Sequence, residues 1–241
     1  MTSQNQLGAA QPMPMPALLV TALLPTVAAI IYFSLVVEQA WVAAGYGLTK
    51  LFTVAWPWIA SRRWRHPEPA LSNSTSAGSR PLSVILGTAT GVLGLVLVVG
   101  LYRGPLQTTF IAAMPQIASK VEQLGIGGHY LAFALLLSFV HSAIEEIYWR
   151  WLLFRQLQLR MVPQLAMMSA AAAFASHHFV IIGAFASGLW IVVGGLSVFA
   201  AGYLWCWLYQ RTGSLVGSWI SHVLLDLAIF WIGFDLLHLA G

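Results

Sequence analysis

Charge is scarce in this chain: seven acidic residues and eleven lysines and arginines make up 7% of its 241 residues. A soluble domain of this length covers its surface with about a quarter charged residues, so an ordinary soluble fold is excluded. The single cysteine, Cys206 in "GYLWCWLYQ", forbids an intrachain disulfide and reads as a packing residue in an apolar run. No stretch interleaves basic and aromatic residues as nucleic-acid binding would require, and no nucleic-acid partner is expected. There is no internal repeat. Two histidines and several carboxylates could ligate zinc, but no HExxH or similar spacing occurs; neither metal nor cofactor is expected, and chelators should have little effect. The opening "MTSQNQLGAAQPMPMP" has no Lys or Arg, which argues for a retained first span over a cleavable signal peptide.

What abounds is apolar: 59% of residues are hydrophobic and the mean hydropathy is +0.79. A spanning helix needs roughly 20 mostly apolar residues, and about seven such runs occur, near 17–37, 40–60, 82–102, 129–153, 163–185, 188–209 and 214–238. The expected fold is therefore all-α, a polytopic transmembrane bundle in the lipid bilayer. Pro25, Pro57 and the glycines blur the run boundaries without excluding spans. Arg62, Arg63, Arg65 and Arg80 follow the second run, Arg155 and Arg160 the fourth, and Arg211 the sixth. The positive-inside rule makes that side cytoplasmic, with the N-terminus inside and Arg103, Lys120 and Glu122 outside. The pI near 9.5 thus reports topology.

The domain reading is a two-span unit at 1–61, a cytoplasmic linker at 62–81 and a five-span core at 82–241. "RRWRHPEPALSNSTSAGSR" is the linker's composition, and its Asn73-Ser74-Thr75 sequon is an accidental match on a cytoplasmic side. Gly87 and Gly91 form a GxxxG that allows close helix approach, and Trp149 and Trp151 suit an interfacial belt.

Ionisable residues inside spans are costly, and they pair, face the bundle interior or serve function. "HSAIEEIYWR" places two of the seven acidic residues in the fourth run. Glu146 and Arg150, four apart, share a helical face and can form a salt bridge. Glu145 points about 100° away, toward the face of His141, and the arginine does not account for it. "FASHHF" brings His177 and His178, of which His177 reads as a hydrogen-bonded helix contact; His222 and Asp226 in "SHVLLD" stand on one face and could satisfy each other.

Together the ordered EExxxR, FxxxH and HxxxD motifs, with the "RTGSL" turn before the last of them, resemble the intramembrane glutamic proteases that include the prenyl-protein (CAAX) processing endopeptidase and its bacterial relatives, the CPBP or Abi family. The resemblance covers about residues 129–238; family members commonly carry Gly after the arginine, where this chain has Trp151. It implies an endopeptidase acting on a membrane-anchored protein or peptide. Glu145, helped by His178, would activate a water; His222 and Asp226 would stabilise the oxyanion; Glu146 and Arg150 would hold the helix and its field. Asp226 must carry a proton or orient His222, because an ionised carboxylate donates no hydrogen bond, and the second reading is preferred. A rhomboid-type mechanism with Ser197 and His222 leaves Glu145 unexplained. The alternative from another class is a non-proteolytic membrane scaffold of the same fold that binds partners. A bacterial inner membrane is the expected location, and no residue selects prenylated C-termini over immunity-related peptides or C-terminal sorting tails.

Overall fold

A computed structural model describes residues 11–31, 39–64 and 76–238. The described residues form helices joined by short turns, with no strand: α1 Met15–Ile30, α2 Gln39–Arg63, α3 Ser76–Arg103, α4 Gln107–Ala112, α5 Met114–Gln123, α6 Gly127–Gln158, α7 Pro163–Gly183, α8 Leu189–Thr212 and α9 Leu215–His238. Helices satisfy their own backbone groups, which is what lipid demands.

Among the described residues five helices are long and apolar enough to cross a membrane: α3 from Arg80, α6, α7, α8 and α9. The first two expected spans are the 16-residue α1, which is short for a crossing, and the 25-residue α2, which carries Lys50 at its middle. Of the expected linker, residues 62–63 and 76–81 are helical, and the sequon at 73–75 lies outside the described residues.

α3 lies along α9, α8 bridges α7 and α9, and α1 packs on α7. The GxxxG glycines set the first contact: a Cβ on Gly87 would fall 2.3 Å from the Gly217 carbonyl oxygen, and one on Gly91 would fall 2.9 Å from Ser221 Cα. Small residues let two backbones touch where lipid supplies no hydrophobic drive. The contact fixes α9 one turn before His222. Leu93, Val96 and Leu97 leave the same helix outward, as lipid-facing residues do.

The "RTGSL" turn has a local cause. Gly213 takes φ 66°, the left-handed region, and its N–H closes α8 on the Tyr209 carbonyl at 2.8 Å. Ser214 then caps α9, its Oγ accepting from the Val216 N–H at 3.2 Å.

Proline explains another junction. Pro25 has no N–H, which frees the Thr21 carbonyl one turn earlier, and Tyr148 of α6 donates its hydroxyl to that oxygen at 2.7 Å. Thr21 Oγ1 also accepts from Trp56 Nε1 of α2 at 2.8 Å. Met13 donates its N–H to Gln156 at 2.8 Å and its carbonyl accepts from Arg160. The first two helices are thus tied to α6, and Met13, Leu18 and Ala60 share one core with Leu152, Phe174 and Leu208.

Candidate active site

Within α6 the helix widens to π geometry at Leu137–His141 and again at Glu146–Phe154. Such segments leave carbonyls for side chains to take, and they recur at functional sites. Here Trp219 of α9 donates its indole N–H to the Phe139 carbonyl at 3.0 Å. Glu145, 8% exposed, ends the stretch between the two segments, and Glu146, 1% exposed, opens the second.

Glu145 faces histidines from three helices. His141 Nε2 is 3.3 Å and His177 Nε2 3.6 Å from its Oε1, and His222 Nε2 is 3.6 Å from its Oε2. Glu145, His177 and His178 each offer one atom to a group whose members lie within 4.8 Å of one another. The group is compact enough to hold a cation in principle, although two adjacent histidines and one carboxylate match no familiar metal spacing. His178 donates from Nδ1 to the Phe174 carbonyl, 3.0 Å away and one turn back, which leaves Nε2 with a lone pair.

Glu146 turns the other way. Its Oε1 lies 3.0 Å from Arg150 Nη1 and 2.9 Å from His222 Nδ1. The carboxylate hydrogen-bonded to His222 is therefore Glu146; Asp226 stands farther off, with Oδ1 3.7 Å from Nε2. The fully buried Arg150 guanidinium sits over the rings of Phe174, 4.6 Å to the centroid, and Trp205, 4.9 Å. Those π faces offset part of the cost of a buried cation.

Phe174 is the hub of this arrangement. Its ring meets Trp149 edge-on at 5.8 Å, Trp205 at 5.7 Å and His222 at 6.0 Å. Trp205 stacks on His222 at 3.9 Å and hydrogen-bonds Ser221 at 3.1 Å, so the imidazole is clamped on one face and at one edge.

All six singled-out residues, Glu145, Glu146, Arg150, His178, His222 and Asp226, meet in this centre. Four further residues join them. His177 was expected to be a helix contact but points at Glu145 and stacks on Trp149, with ring planes 7° apart. Trp149 is correspondingly a buried wall of the site and not an interfacial anchor. His141 stands four residues before Glu145, on the face toward which the sequence already turned that carboxylate. Lys50 reaches His141 from α2, with Nζ 3.3 Å from each ring nitrogen. Its signal was that of any cation within an apolar run.

Trp151, where the family commonly has Gly, lies 6.1 Å from the Trp58 ring of α2, at the seam between the two helices. Ser197 is exposed on α8 and donates to the Val193 carbonyl at 2.8 Å, while His222 is engaged by the glutamates. That geometry gives no serine-histidine pair.

No curated protein and no solved structure matches the chain. A family model does: type II CAAX prenyl endopeptidase Rce1-like, over residues 127–228. The match contains every side chain of the cluster except Lys50. The chain is an integral membrane protein whose residues 127–228 match the model of the Rce1-like CAAX endopeptidase family.

Proposed function

We propose that the protein is an intramembrane endopeptidase that cuts a membrane-anchored protein with a water activated by Glu145. The observation that carries this reading is one buried carboxylate with His141, His177 and His222 at 3.3–3.6 Å and His178 close by. A gap of up to 4.8 Å between Glu145 and His178 suits one water hydrogen-bonded to both.

In the proposed reaction Glu145 takes a proton from that water, and the hydroxide oxygen bonds to the scissile carbonyl carbon. The carbonyl electrons move onto oxygen. His222 donates Nδ1–H to Glu146, so it offers Nε2–H to the oxyanion as the imidazolium, with Glu145, Glu146 and Asp226 as counter-charges. This gives Asp226 a role that needs no donated hydrogen bond. Collapse of the intermediate breaks the C–N bond, and Glu145 returns its proton to the leaving amine. No acyl-enzyme forms.

The test adds purified protein in lipid vesicles to membranes of host cells lacking it, and reads new protein termini by mass spectrometry. Native protein should create termini that Glu145→Gln does not, and added hydroxylamine should leave the new carboxylates free. A hydroxamate at the new C-terminus would mean an acyl-enzyme and would sink the water mechanism.

A further inference from the structure

Trp205 comes from α8, yet two neighbouring residues of α9 hold it. Its indole N–H donates to Ser221 Oγ at 3.1 Å, and its face lies against the next residue, His222, with ring centroids 3.9 Å apart and planes 18° apart. Consecutive helical residues point about 100° apart, so Ser221 does not reach the His222 ring itself. The indole bridges that angle. A buried indole N–H needs a partner, and the fully buried Ser221 supplies one. Ser221 Oγ also meets Thr90 Oγ1 of α3 at 3.2 Å, beside the close approach that Gly91 allows.

His222 needs such a guide. Its Nδ1 lies 2.9 Å from Glu146 Oε1, and that bond holds one edge of the ring. One bond fixes a point and leaves the ring plane free to turn about it. Turning swings Nε2 away from Glu145 Oε2 and Asp226 Oδ1, which lie 3.6 and 3.7 Å from it. Glu146 therefore sets where Nδ1 sits and not where the Nε2–H points. A parallel stack removes this freedom, because tilting the imidazole drives it into the indole. Phe174, at 87° and 6.0 Å, has no parallel face to offer. The face of a tryptophan is also the best aromatic partner for a cation, and the imidazolium is the form in which His222 serves the oxyanion.

We propose that Trp205 is a positioning residue, anchored by Ser221, whose indole face sets the plane of the His222 imidazole and thereby aims its Nε2–H at the oxyanion. The inference rests on His222 being the oxyanion donor, as proposed above.

The test uses the full chain in lipid nanodiscs with ¹³C,¹⁵N-labelled histidine, as native protein, Ser221→Ala, Trp205→Leu and His222→Asn, the last assigning the His222 signals by their loss. In native protein the His222 ring protons should lie upfield, shielded by the indole face. Ser221→Ala removes a single oxygen and keeps both rings, and it should lose part of that shielding as the indole tilts. Initial rates of new-terminus formation, read by mass spectrometry at limiting and saturating amounts of membrane from cells lacking the protein, separate kcat from KM. In Ser221→Ala and Trp205→Leu kcat should fall roughly 10- to 100-fold with KM unchanged, because the misaimed donor acts in the transition state. Unchanged His129 and His238 signals report that the fold is kept. In Ser221→Ala, native shielding overturns the proposal, and so does a native kcat. A native kcat in Trp205→Leu does the same in a preparation where His222→Asn is impaired. If His222→Asn cleaves at the native rate, the oxyanion assignment falls instead, and the Ser221→Ala shielding still judges whether Trp205 sets the His222 plane.

Discussion

Glu146 serves two partners with one oxygen, and its second oxygen is buried without a hydrogen bond. Its charge holds Arg150 and His222 at once, so Glu146→Gln leaves a buried guanidinium without its counter-ion. Removing one member of a buried pair costs about 3–5 kcal/mol. We expect Glu146→Gln to melt well below both the native protein and Glu145→Gln in detergent, because Glu145 has no arginine to strand. His222→Asn should keep the fold yet lower the cleavage rate by about 10²–10³, the usual effect of losing an oxyanion donor. The charged residues of this centre were legible in sequence because charge inside an apolar run needs a reason. Partners on the same helix were legible too, Arg150 for Glu146 and His141 for Glu145, but those on other helices were not: the Glu146 to His222 bond spans 76 positions, and nothing in i, i+4 counting favours it over the His222 and Asp226 pair. Lys50 was skipped for the same reason, since its contact with His141 exists only once α2 packs on α6.

At the scale of the helix, the site depends on how closely α3 and α9 approach. Gly87 tolerates no Cβ, because the atom it would meet is backbone oxygen at 2.3 Å and cannot rotate away. Gly87→Ala should displace α9 and, with it, His222. The expected outcome is a large loss of cleavage with folded but less stable protein, whereas Gly100→Ala, which meets nothing within 4 Å, should leave both unchanged. A native rate in Gly87→Ala would show that the α9 position is not critical. The GxxxG itself was readable in sequence as a close-approach device, but its partner helix was not. The π segments of α6 were not readable either: nothing in "HSAIEEIYWR" distinguishes them from α-helix, and in the first of them Trp219 of α9 takes the Phe139 carbonyl.

For the whole molecule, the apolar runs gave the bundle directly, and the five helices long enough to span coincide with the last five runs. The first two runs were less well described by length and apolarity alone, since α1 stops at 16 residues and Lys50 interrupts α2. The arginines also sort by end: Arg160 meets Met13 at the start of α1, whereas Arg103 at the close of α3 pairs with Asp235 of α9 at 3.4 Å. We read the first of these ends as cytoplasmic. Cysteines introduced singly at Ser119 and Ser214, in a Cys206→Ala background, should therefore differ toward an impermeant maleimide added outside intact cells, with only position 119 labelled. The reverse pattern would invert the topology. Chelators should leave cleavage unchanged, since the reaction as drawn needs only a carboxylate and imidazoles.

The most direct test of the central claim compares, by mass spectrometry, the termini of membrane and exported proteins in host cells carrying the native protein, Glu145→Gln or a deletion. Gln keeps the shape of the side chain and removes the base. The account predicts that Glu145→Gln cells accumulate the same unprocessed proteins as the deletion, with the variant present at native abundance. If Glu145→Gln cells match the native ones while the deletion still differs, Glu145 is not the base, and the protein acts as a membrane scaffold of this fold.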